Sequence, residues 1–228
     1  MSLNRPVWKL KNWIDVEKLV WSLLSLNPNA IELLEENADK IDWSCLSSNP
    51  NAIKILEKNR DKIDWFALSS NPNAIKLLEE NRDKVEWGQL SLNPNAIQIL
   101  EKNKIDWFAL STNPSAIDLL RRNPGKIDWK GLSLNPNAIE ILERNLDKID
   151  WDFLSSNPNA IKLLEDNRDK INYANLSLNT NAIHLITKNK RKINWNYLSS
   201  NASAIKILER NQDKIDWSSL SKNPSIFQ

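Results

Sequence analysis

The chain has 228 residues, with 31 basic and 29 acidic side chains that leave a formal net charge of +2, a single cysteine and eleven tryptophans. Interleaved charges of nearly equal number leave no polyanion-seeking tail, and Cys45 alone cannot form an intrachain disulfide. No stretch reaches the length of a membrane span, and the start, Met1 to Pro6, lacks an apolar signal core, so the expectation is a soluble protein that is not secreted.

Residues 1–20 match the rest of the chain only in part and carry two extra tryptophans, Trp8 and Trp13; they read as an N-terminal cap. From Trp21 to Gln228 one pattern recurs. Its leading asparagine falls at Asn27, Asn49, Asn71, Asn93, Asn113, Asn135, Asn157, Asn179, Asn201 and Asn223, a step of 22 residues except for the step of 20 between Asn93 and Asn113. Ten copies of so short a unit mean a repeat array, here residues 21–228, ending in a partial repeat.

Within a unit, Asn71-Pro72 has the chemistry of a helix start, because asparagine caps free amides and proline is pre-set for the first helical position. The spacing predicts a helix from Pro72 to about Asn81, with Ala74, Ile75, Leu77 and Leu78 on one face and Lys76, Glu79 and Glu80 on the other. Asn81 would close it in the left-handed conformation. Asp42, Asp64 or Glu86 then caps a second short helix in which Trp and Leu, three apart, both face inward, as in Trp87 and Leu90. The fold predicted is all-α, an α-solenoid of about ten 22-residue repeats, each of two short helices. At about 8–10 Å per layer it would make a rod or arc on the order of 80–100 Å long. A leucine-rich-repeat-like solenoid is the alternative; the missing alternation of apolar residues and only three glycines argue against it.

One unit offers about seven apolar side chains, worth at most roughly 1.5–3 kcal/mol each, against about 1–2 kcal/mol per residue for ordering its backbone. Stability must therefore come from neighbours. Three irregularities stand out: the short fourth unit before Ile105, the turn Asn123-Pro124-Gly125-Lys126, and the loss of the helix-starting proline at Thr180 and Ala202, whose helices should fray more. The array ends at Phe227-Gln228 with its last layer half covered. Either that half-unit is itself a cap or the array ends stack on a second copy as a homo-oligomer.

No catalytic constellation emerges. His184 occupies a variable outward slot, Cys45 a slot that also takes Ala67 and Gln89, and serines such as Ser47 recur too often to be nucleophiles; they should bond local backbone. The reading is no catalytic, cofactor-binding or metal-binding residue, no cofactor and no small-molecule substrate. The slots just after each tryptophan hold Phe66, Phe108, Phe153 and Tyr197 in some copies and polar residues in others, which marks them as a candidate surface for a protein partner. A lysine ladder, Lys40, Lys62, Lys84, Lys104, Lys126, Lys148, Lys170, Lys192 and Lys214, gives nucleic-acid binding as the alternative; its charge is offset by neighbours such as Asp39 and Asp42.

The recurring Leu-Ser-x-Asn-Pro-Asn-Ala-Ile-x-Leu-Leu-Glu-x-Asn and Lys-Ile-Asp-Trp resemble the repeat proteins found in many copies in giant DNA viruses of amoebae and algae, over roughly residues 21–226. The resemblance implies a viral repeat protein acting in the virion or the host cytoplasm and brings no catalytic residues. Together these readings predict a non-enzymatic repeat scaffold that mediates protein–protein interaction with an unidentified partner.

Overall fold

The computed structural model describes residues 9–100 and 104–228. They form short helices in a regular order. Most units have a first helix that begins at the tryptophan, such as Trp65–Ser69, and a second that begins at the isoleucine, such as Ile75–Glu80, followed by a single 3-10 turn, Arg82–Lys84. No strand is present among the described residues beyond one isolated antiparallel bridge, so the α-solenoid holds and the leucine-rich-repeat alternative does not.

The first helix starts where the carboxylate was expected to cap it: Asp64 Oδ1 accepts from the Ala67 amide at 3.0 Å. The Ser44 hydroxyl, donating to the same carboxylate, and the Ala67 amide together hold Asp64 below the ordinary carboxylate range. The stability this gives is present at neutral pH and is lost as pH falls through the folded-state value. Glu86, one methylene longer, makes no such bond.

The second helix begins three residues later than Pro72. Asn71 Oδ1 accepts from the Asn73 amide at 3.0 Å, so residues 71–74 form a capped turn before the helix opens at Ile75. Its end also differs from expectation. Asn81 has φ −134°, and no non-glycine residue among those described has positive φ; the asparagine instead turns its amide back to donate to Leu77 O at 2.8 Å. A side-chain bond to the last turn replaces the left-handed cap. The units that lost proline keep their helices, Ile183–Lys188 and Ile205–Glu209, because Asn179 and Asn201 still cap the turn. Asn103, in the short fourth unit, lies outside the described residues; the segment before it, residues 97–99, is a turn rather than a helix.

The core is a continuous band. Leu24, Leu46, Leu68 and their equivalents from the first helices, with Ala74, Leu78 and theirs from the second apart from half-buried Leu100, are buried, and the tryptophans are half-buried against them. Polar groups join one layer to the next. Ser69 Oγ donates to Trp65 O at 2.8 Å and accepts from the Glu86 amide of the following unit at 3.0 Å. The leading asparagines are buried too, and Asn71 Nδ2 donates to Ser47 O and Asn49 O of the preceding unit, both at 2.9 Å.

These bonds repeat at every step, including one that the chain order does not supply. Asn27, in the first unit, donates to Ser221 O and Asn223 O of the tenth, both at 3.1 Å. Val20 N donates to Ser221 Oγ at 2.9 Å, as Glu86 N does to Ser69 Oγ. The first unit therefore sits on the tenth as every other unit sits on its predecessor, and the structure corrects the open rod or arc to a closed ring. Ten steps around a circle are about 36° each.

The closing unit is shared between the two ends of the chain. Trp217–Ser221 supplies its first helix, and Lys18 lies over the Trp217 ring at 5.0 Å, just as Lys40 lies over Trp21 within one unit. Leu10 and Phe227 pair antiparallel, with Lys9 N donating to Gln228 O at 3.0 Å and Lys11 N to Ile226 O at 2.9 Å. Residues 9–20 thus complete the partial repeat instead of capping a free end, and the two ends, which the alternative reading left open to a second copy, are joined to each other.

Successive first helices pack directly on one another, whereas successive second helices stand farther apart and touch through long side chains such as Arg121 and Glu140. In a closed ring the layer with the closer spacing has the shorter circumference, so the tryptophan helices form the inner wall. The estimated array length becomes that circumference, and subtracting the radius of a helix, about 5–6 Å, leaves a central opening roughly 15–20 Å across.

Spacing along the inner wall is tightest at Gly131, where an added Cβ would lie 2.7 Å from Phe108 O. Gly131→Ala should lower stability by about 1–3 kcal/mol. Gly88→Ala, with nothing within 4 Å of the new methyl, should be neutral or raise stability by up to about 1 kcal/mol. Chemical denaturation of the two variants checks the pair.

Candidate functional site

The side of each inner helix away from the core carries the three variable slots that follow the tryptophan by one, two and five residues. In a two-layer ring that side is the wall of the central opening. Among the aromatics expected there, Phe66 is 58% exposed, Phe108 46% and Tyr197 37%. Phe153, in the same slot as Tyr197 and Gly131, is half-buried; that slot lies close to the preceding helix, as the approach of Gly131 to Phe108 O shows. The structure thus brings Phe66, Phe108 and Tyr197 to one wall in the third, fifth and ninth units and sets Phe153 partly into the packing of the seventh.

Leu92 and Leu178 add exposed apolar surface at the last of the three slots, a position the sequence reading did not single out. Their signal was present in the comparison of copies, where that slot holds leucine in some units and serine, threonine or lysine in others. Polar residues on the same wall form bonds across units: Asn175 Nδ2 donates to Asp152 O at 2.9 Å, and Asn172 Nδ2 to Asp152 Oδ1 at 2.8 Å. Cys45 is half-buried here. Burial, then Asp42, pushes its thiol up, while Lys222 of the tenth unit lowers it in part.

The lysine ladder has a structural role. Eight of its nine lysines place their ammonium 4.1–4.9 Å from the centre of an aromatic ring of their own unit, from Lys40 over Trp21 to Lys192 over Tyr173 and Lys214 over Trp195. Such contacts contribute about 0.5–1 kcal/mol at exposed sites. They also cover the ring faces that a base or sugar would need for stacking.

His184 is exposed, with Nε2 3.2 Å from Glu165 Oε1. The recurring serines are committed to the bonds between layers described above. Among the described residues there is no group of three or more His, Cys, Asp or Glu side chains that could hold a metal ion, and no helix long and apolar enough to cross a membrane.

No protein-family model, curated protein or solved structure matches the chain.

Proposed function

We propose that this protein is a non-enzymatic, ring-shaped scaffold that docks a protein partner at the wall of its central opening, with Phe66, Phe108 and Tyr197 as anchors. The observation that supports this reading most is the exposure of Phe66. The rest of the large apolar side chains in its unit are buried or half-buried, yet a phenylalanine 58% exposed stands on the inner wall, with exposed Phe108 and Tyr197 on the same wall. Groove-filling side chains would be covered by the adjacent layer, as Phe153 partly is. Large rigid aromatics exposed on a preformed surface suit a hot spot, since they offer contact area at small cost in conformational entropy. A ring closed on itself also orders the wall before a partner arrives, which limits the loss of freedom on binding. The setting we propose, from the resemblance of the repeat, is the virion or the cytoplasm of an infected host cell.

The test is the triple substitution Phe66→Ser, Phe108→Ser and Tyr197→Ser. Exposed positions change stability little, within about 0.5 kcal/mol each, so the melting temperature should move by only a few degrees. Proteins captured from infected or expressing cells by the intact ring should be lost from the variant. Equal capture by both would end the proposal, as would a large fall in melting temperature with capture retained. Phe153→Ser alone should cost more stability than Phe66→Ser, because it removes a half-buried ring.

A further inference from the structure

Splayed outer helices leave grooves between successive units, and two of these grooves can be compared position by position. Between the fifth and sixth units, a groove of about 320 Å³ is lined by Arg121, Pro124, Glu140 and Arg144 over a floor of Ile127, Trp129 and Ile141. Glu140 neutralises it, accepting from Arg121 at 2.6 Å and from Arg144 at 2.7 Å. Between the eighth and ninth units the equivalent groove, about 340 Å³, has Thr187 in place of Arg121, Lys190 in place of Pro124, Lys206 in place of Glu140 and Arg210 in place of Arg144. Lys214 joins them from the next turn. The lining therefore carries four cations and no carboxylate, and among the described residues none of Lys190, Lys206 and Arg210 has an ion-pair partner.

The change is local. In the other full units the slot of Thr187 holds glutamate or Arg121, and the turn that in six units ends in Asp-Lys reads Lys190-Arg191-Lys192, so an acid has been lost at two places around one groove. Four like charges in one partly enclosed space repel one another and lower the stability of the ring. A bound anion would reverse that cost, while the Trp195 edge and Ile207 offer apolar surface beside it. The positive region is also bounded: Glu165 stands against His184 on one side, and Glu209 and Asp213 lie on the other. A polymer tracking along the ring would meet those carboxylates; a small molecule would not.

We propose that the groove between the eighth and ninth units binds a small phosphate-bearing molecule of nucleotide size, its phosphates held by Lys190, Lys206, Arg210 and Lys214 and its apolar part against Ile207 and the edge of Trp195, whose face Lys214 covers. This site is separate from the inner wall and does not depend on the partner proposed there.

Calorimetric titration of the full chain at low salt, with ADP, pyrophosphate and a short single-stranded oligonucleotide as probes, tests it. ADP should bind one per chain, pyrophosphate more weakly, and added salt should weaken both. Lys206→Glu restores the acid found at Glu140, which can pair with Arg210 as Glu140 pairs with Arg144, so the fold is kept and affinity for ADP should fall at least tenfold. Glu140→Lys should raise the stoichiometry toward two. Absence of ADP binding, equal binding by Lys206→Glu, or binding of the oligonucleotide alone would each overturn the proposal, the last in favour of a nucleic-acid strand.

Discussion

Asn27→Ala should destabilise the protein as much as Asn71→Ala, by about 3–4 kcal/mol, or roughly 10 °C in melting temperature. Each asparagine makes two bonds from its side-chain amide to carbonyls of the preceding unit and one through its side-chain oxygen to the amide two residues on. Alanine removes all three and leaves a buried carbonyl with no donor, Ser47 O for Asn71 and Ser221 O for Asn27. In an open array Asn27 would be terminal, its partners 194 and 196 residues away would be absent, and its replacement would cost little. Thermal unfolding of the two single variants therefore distinguishes ring from rod without any structural measurement. A loss at Asn71 with none at Asn27 would mean that the ring does not close in solution.

Removal of residues 217–228 should open the ring and cost the most of any change considered. The deletion takes away the first helix of the shared unit, the buried Leu220, Ile226 and Phe227, the partners of Asn27 and the segment that pairs with Leu10. Three buried apolar side chains alone contribute about 5–8 kcal/mol, and a nearest-neighbour interface is lost with them. The truncated chain should show a larger radius of gyration by small-angle scattering and faster amide exchange over Trp21–Ser25, which loses its packing neighbour. An unchanged radius and unchanged exchange would show that the two ends contribute nothing to each other.

Much of the unit was legible in the sequence because its determinants are local. The capping of the first helix by Asp64, the burial of Leu68 and Leu78, and the turn set by Asn71 all follow from residues fewer than about ten positions apart. Errors at this level were of conformation. Asn81 closes its helix through its side chain instead of a left-handed backbone, and Pro72 opens a turn rather than the helix itself. At the candidate surface, alternation between aromatic and polar residues pointed to slots where Phe66, Phe108 and Tyr197 are exposed. It could not separate exposed Phe66 from half-buried Phe153, because they stand in adjacent slots of equivalent helices in different units, and how far each is covered depends on the neighbouring helix. The lysine ladder was visible as charge, but not as a set of contacts to aromatic rings, since eight of its lysines meet a ring about nineteen residues earlier.

By itself the sequence determined the period, the pair of helices, the apolar band and the absence of a self-sufficient unit, all of which depend on residue type and short spacing. Closure was left to the tertiary structure. Whether ten units make an arc or a circle depends on a rotation of about 36° per step, set by how much closer the inner helices pack than the outer ones. That difference is a sum of many small side-chain contacts between layers, and no single residue records it. The same closure turns an N-terminal segment and a C-terminal half-unit, which look like separate caps along the chain, into the two halves of one repeat.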